Sequence, residues 1–240
     1  MCNVLIINGS FRKQNTYGVL SQIEQILISC GIKTEFIHLS DYKIESCTGC
    51  QNCINSDFCQ KTDDMSVLME KIKKSNGIII GSPVYVENLS GNIKNFVDRT
   101  FRWYHIPEIA EKPTLFAGTA SATGLKNIVN SFKSIAISWG TPKTNFILRT
   151  ARNIKRPITK KEMVKFIKLL EEGNCVYKPS FYEINIFQIK KILALKSNGK
   201  DKKYWMDNDL FNKNYYHKCK MGVLKNIFSI MIFKLLVKLL

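Results

Sequence analysis

The feature that most constrains this chain is a regular alternation over about its first 170 residues. Five short apolar runs, "CNVLIIN" (2–8), "KTEFIHL" (33–39), "GIIIGS" (77–82), "PTLFAGT" (113–119) and "GTPKTNFIL" (140–148), read as strands. Amphipathic stretches at 16–30, 63–75, 90–103, 124–138 and 159–172 separate or follow them. In the first of these, Leu20, Ile23, Ile26 and Leu27 recur at helical spacing and Gly31 supplies a stop. Strands that are apolar almost throughout must be covered on both faces, as in a parallel sheet between two helical layers. The expected fold is therefore α/β, a doubly wound five-stranded parallel sheet of order 2-1-3-4-5 spanning residues 1–173.

In such a sheet, ligands bind beyond the carboxyl ends of the strands. The segments that follow strands one, three and four are "NGSFRKQNTYG", "SPVYVENLSGNIKNFVDRT" and "TASATG", rich in Gly, Ser, Thr and Asn. The first joins a strand to a helix, so backbone N–H groups and the helix dipole create an anion site there. Ser10, Asn15 and Thr16 add hydrogen-bonding side chains, and Arg12 adds a fixed positive charge. There is neither a G-x-G-x-x-G fingerprint nor a P-loop lysine. A capped turn without a ligand would explain the first loop alone; three such loops on one sheet edge argue against it. Asp98 and Arg99 read as a helix-end charge pair, Asp63 and Asp64 as caps of the second helix, and His105 as a packing residue.

Between strand two and its helix lies "CTGCQNCINSDFC" (47–59), four cysteines spaced C-x2-C-x2-C-x5-C in a chain that has eight. The start "MCNVLIINGS" has no basic segment ahead of an apolar run, so a cytoplasmic, reducing compartment is expected. There, clustered thiols signal metal or redox chemistry rather than disulfides. Four thiolates suit Zn(II), [2Fe–2S] or [4Fe–4S]. The remaining cysteines lack ligand spacing, and Cys2 and Cys30 read as small apolar residues.

Charge is uneven. Residues 1–150 carry 16 Lys/Arg against 12 Asp/Glu, whereas 151–240 carry 20 against 7. Residues 174–240 break the strand–helix rhythm and read as a basic, mainly helical appendage that packs on the core or on another subunit. No recognition motif accompanies the charge, so nucleic acid is not the expected partner. The final stretch, 221–240, is apolar but carries Lys225, Lys234 and Lys238. A membrane span is not expected from it; an oligomer interface or contact with a membrane surface is.

Taken together, "NGSFRKQNT", "GSPVYVENLSGNIKNFVDR" and the cysteine loop resemble the flavodoxin-like NADPH-dependent FMN reductase superfamily, and within it the iron–sulfur flavoproteins. The resemblance covers about residues 1–150. It implies an FMN phosphate held by Ser10, Arg12, Asn15 and Thr16. It places Pro83, Val84, Tyr85 and Asn88 along the ring and ribityl chain, and Thr119, Ser121 and Gly124 in the loop closing over the ring's polar edge. It also implies that Cys47, Cys50, Cys53 and Cys59 hold a [4Fe–4S] cluster. Phe11 stands where a proline is usual, and the first loop is one residue shorter than the common form.

The function expected is a flavin-dependent oxidoreductase that passes electrons between a cluster and FMN to a small acceptor. The donor would be ferredoxin-like. The alternative is an NAD(P)H-dependent FMN or quinone reductase without a cluster. By the same resemblance the chain is expected to be a homodimer or tetramer.

Overall fold

The computed structural model describes residues 2–56 and 59–239. Asp57 and Phe58 of the cysteine loop, and Leu240 at the end of the 221–240 segment, lie outside the described residues. The described residues form six strands: β1 (Asn3–Asn8), β2 (Lys33–His38), β3 (Gly77–Tyr85), β4 (Asn88–Leu89), β5 (Thr114–Ala120) and β6 (Lys143–Thr150). Five of them form a parallel sheet in the order β2-β1-β3-β5-β6. This is the 2-1-3-4-5 arrangement once β4, a two-residue strand antiparallel to the end of β3, is set aside. That hairpin is absent from the sequence reading because its turn, Val86–Glu87, contains no glycine.

Alternating side chains along each central strand feed opposite layers. Leu5, Ile7, Ile78, Ile80 and Phe116 pack with α3 (Met65–Lys74), α4 (Gly91–Asp98) and α6 (Leu125–Trp139). Val4, Ile6, Ile79, Leu115 and Ala117 face α1 (Asn15–Ser29) and α7 (Lys160–Glu172). A short helix, α2 (Asn52–Asn55), lies within the cysteine loop.

The helix expected over 90–103 divides into α4 and α5 (Arg102–His105). The break falls at Arg99, Thr100 and Phe101, where Trp103 N–H bonds the Thr100 carbonyl and Trp139 Nε1 donates to Thr100 Oγ1 at 2.8 Å. Side-chain demands on Arg99 and Thr100 thus override a helical sequence.

The appendage comprises α8 (Phe181–Lys196), α9 (Lys200–Asp207) and α10 (Val223–Leu239). It packs on the core of its own chain. Ile184, Phe187, Trp205, Tyr215 and Tyr216 form a third apolar cluster that includes Ala110 of the core domain. Polar ties reinforce the seam: Trp205 Nε1 donates to the His105 carbonyl at 2.9 Å, and Lys143 pairs with buried Glu183 at 2.6 Å. No helix among the described residues is long and apolar enough to cross a membrane.

Candidate flavin and cysteine sites

The first loop is shaped by Asn8 at the end of β1. Its Oδ1 accepts from Ser10 N–H at 3.1 Å, and its Nδ2 donates to the Ser10 carbonyl at 3.3 Å and meets His38 Nδ1 at 2.9 Å. Because the amide nitrogen can only donate, His38 Nδ1 is the acceptor and the ring is neutral. Gly9 N–H bonds the Gly81 carbonyl at 2.8 Å, and a Cβ at Gly9 would lie 2.0 Å from Ile93 Cγ1. Only glycine lets the loop pass this close to α4.

The loop delivers the chain into α1, whose N-cap Gln14 makes no side-chain cap bond and whose first turn has no acidic residue. Its positive end is therefore open to an external anion. Ser10, Arg12, Asn15 and Thr16 border one recess with Pro83, Val84 and Tyr85 of β3 and with Thr119 and Ser121 beyond β5. Thr16 and Thr119 close it from below by a 2.7 Å hydroxyl–hydroxyl bond. Gln14 and Ala120 also border it. Phe11, the residue in the place of a proline, points outward and is 65% exposed.

Two of the expected flavin residues do not border this recess. Asn88 turns away: its Oδ1 accepts from Leu89 N–H at 2.8 Å and from Ser131 Oγ at 3.3 Å. Gly124 acts from behind. It has φ +86°, and a Cβ there would lie 2.4 Å from Val84 Cγ1, so its lack of a side chain allows the loop after β5 to close on β3. The β3–β4 turn is also left-handed, at Val86 (φ 48°) and Glu87 (φ 61°). This is costly for a β-branched residue. Glu87 anchors it by accepting from Thr123 Oγ1 and, at 3.2 Å, from Asn127 Nδ2. The turn presents Tyr85 at the rim of the recess, 39% exposed, as an aromatic plane.

The cysteine loop lies on the same edge of the sheet. Cys47, Cys50, Cys53 and Cys59 border one cavity of about 200 Å³. Among the described residues, no three His, Cys, Asp or Glu side chains meet closely enough to hold a single metal ion. Burial pushes the Cys53 thiol up, and the neighbouring Cys59, Cys47 and Cys50 sulfurs push it further. Cys50 moves down, chiefly because the Asn52 backbone N–H bonds its sulfur.

Two arginines from the β3–α5 segment hold this loop. Arg99 donates to Asp63, to the Glu45 carbonyl at 2.7 Å and to Cys59 Sγ at 3.5 Å. Arg102 donates to the carbonyls of Cys53 and Ser56, each at 3.1 Å. The expected Asp98–Arg99 pair is thus corrected: Asp98 pairs with Lys94 across the exposed face of α4, and Arg99 turns inward. Asp64 occupies the N-cap position of α3, but its side chain makes no cap bond there and accepts from Lys43 N–H. Asp63 accepts from Met65 N–H at 3.1 Å and from Glu45 N–H at 2.8 Å. These aspartates fasten 43–45 to the helix start more than they cap it. Four thiols around one cavity, one of them accepting an N–H bond from Arg99, fit an iron–sulfur centre, because hydrogen bonds to sulfur stabilise the charge gathered there.

The sequence profile of the NADPH-dependent FMN reductases matches residues 2–147. The chain belongs to that family. Within the family it is similar to an iron–sulfur flavoprotein of Archaeoglobus fulgidus, 40% identical over 97 residues that cover 40% of this chain and 48% of that one. An iron–sulfur flavoprotein of Clostridioides difficile is 29% identical over 173 residues, 69% of this chain and 75% of that one. The chain spans about half the length of several of the curated relatives it matches. Among solved structures, a flavone reductase superposes with a TM-score of 0.53 at 17% identity, covering 70% of this chain and 60% of the other. RosB with a bound 8-demethyl-8-formylriboflavin-5'-phosphate intermediate superposes with the same score at 12% identity, covering 93% and 92%. These two share the fold.

Proposed function

We propose that this member of the FMN reductase family is a flavin-dependent oxidoreductase that pairs FMN with a [4Fe–4S] cluster and delivers electrons to a small acceptor. The observation that carries the reading is the joint placement of the two sites. A groove of about 860 Å³ is bordered by Cys47, Gly49 and Gln51 of the cysteine loop and by Asn88 and Leu89 of β4. β4 pairs with Val84 and Tyr85, which border the flavin recess, so this one hairpin touches both the groove and the recess.

In this reading Ser10, Arg12, Asn15 and Thr16 bind the FMN phosphate at the positive end of α1. Pro83, Val84 and Tyr85 support the ring, and Thr119 and Ser121 face its polar edge. The four cysteines bind the cluster, with Arg99 and Arg102 fixing the loop that carries them. FMN, when bound, supplies the ability to exchange electrons either singly or in pairs. The protein's side chains position, shield and tune; none is called on to move a proton.

The electron donor is a ferredoxin-like protein in the main reading. The family's NADPH-dependent character supports a second, in which NAD(P)H reduces FMN and the cysteines carry no cluster. Anaerobic purification with analysis of iron, sulfide, zinc and FMN separates them. About four irons and four sulfides per FMN, lost together in Cys53→Ala while FMN is retained, supports the cluster reading. FMN without iron or sulfide, with fast turnover of NADPH, supports the second.

A further inference from the structure

The helix α10 packs against α8 along one stripe only. Ser229 is fully buried on that stripe, and Phe233 lies beneath the Lys191 ammonium at 4.8 Å. The opposite stripe faces outward: Leu224 is 77% exposed and Met231 64%, with Ile227, Ile230 and Leu235 also exposed. An apolar face this continuous on a folded chain marks a contact surface.

Charge identifies its partner. Residues 210–240 contain six lysines and no Asp or Glu. Lys234 and Lys238 project from the exposed stripe itself, one turn apart. Pairing this face with a second copy would set these ammoniums against apolar side chains or against each other, uncompensated in either register. At a bilayer surface the same lysines reach the headgroups by extending their stems, while the apolar side chains enter the acyl boundary.

We infer that α10 docks the protein on an anionic lipid surface, lying in the interface with its Leu224–Ile227–Met231–Leu235 stripe inward and Lys234 and Lys238 on lipid headgroups. The helix is interfacial, not spanning. This inference is independent of the redox reading.

The test is co-flotation of the full-length protein with vesicles of phosphatidylcholine alone and of phosphatidylcholine mixed with phosphatidylserine. Binding is expected to the mixed vesicles and to weaken with salt, with little to the neutral ones. Lys234→Gln/Lys238→Gln should weaken partitioning by about five-fold per lysine, so about twenty-five-fold together. Leu224→Ser/Met231→Ser alters exposed residues that the fold does not need, and should abolish flotation at unchanged thermal stability. Equal binding to both vesicle types would overturn the inference, as would flotation that survives the serine variant. So would an absence of flotation, and if the serine variant then also changes from oligomer to monomer, the occupant is a second copy.

Discussion

The guanidinium of Arg99 engages both carboxylate oxygens of Asp63, joining the end of α4 to the base of the cysteine loop. Both side chains are almost wholly buried. Burial alone would raise the Asp63 carboxyl, but the Arg99 bonds and the N–H groups of Glu45 and Met65 outweigh it and hold the group below its usual value. Removing one partner leaves the other charged and unpaired. Arg99→Gln is expected to cost about 3–5 kcal/mol in urea unfolding of the metal-free protein. Asp63→Asn/Arg99→Gln should recover part of that loss, since neither charge then remains.

His38 gives the loop that follows β1 a pH dependence. Its pKa lies below the ordinary value of 6.5, first because of burial and then because of Lys13, with Asp41 opposing. As pH falls, the unfolded chain takes up this proton before the folded chain does. The contribution is therefore complete above 6.5 and declines as pH drops through 6.5 towards the folded value. Protonated Nδ1 can no longer accept from Asn8, the residue that holds Ser10. Thermal stability should fall over this window, and His38→Gln, which accepts without titrating, should flatten the fall.

Gly124→Ala places a methyl against Val84 at a φ of +86°. A cost of about 1–3 kcal/mol is expected from the backbone alone. The displaced neighbours are Val84 and the Glu87 turn, so FMN affinity should drop by more than an equally destabilising change in the appendage. Flavin fluorescence titration beside a denaturation midpoint measures both.

Lys190 is nearly inaccessible, with Nζ donating to the Ser138 carbonyl at 2.5 Å and lying 4.4 Å from the Tyr104 ring centroid. Burial pushes its pKa down to about 7 from an ordinary 10.5. The unfolded chain binds the proton more readily, so stability rises with pH from about 7 to 10.5. Lys190→Met should remove that rise and stabilise the protein near pH 7 by on the order of 1–4 kcal/mol, read from urea midpoints across the range.

Much of the core domain is legible in the sequence because its strands announce both covered faces. "GIIIGS" has no polar alternation, and Ile78, Ile79 and Ile80 indeed fill layers on opposite sides. The loop after β1 was legible as a turn into a helix, because a strand followed by short polar residues and an amphipathic stretch is joined that way at a sheet edge. Other features depend on contacts distant in sequence. Arg99 reads as the partner of its neighbour Asp98, yet its partners stand 36, 40 and 54 positions away. Asn88 looks like a flavin ligand from its position, and only the turn at Val86–Glu87 reveals that it faces Ser131. The hairpin itself has no Gly or Asn in its turn to announce it; Glu87 holds it from outside.

A chain that carries both a flavin and a cluster stores more electrons than a flavin alone. A dithionite titration of anaerobically purified protein, followed by visible absorbance against bound FMN, tests this most directly. About three electron equivalents per FMN are expected, two for the flavin and one for the cluster, falling to about two in Cys53→Ala. About two equivalents in the parent protein, unchanged by Cys53→Ala, would contradict a chain that carries both.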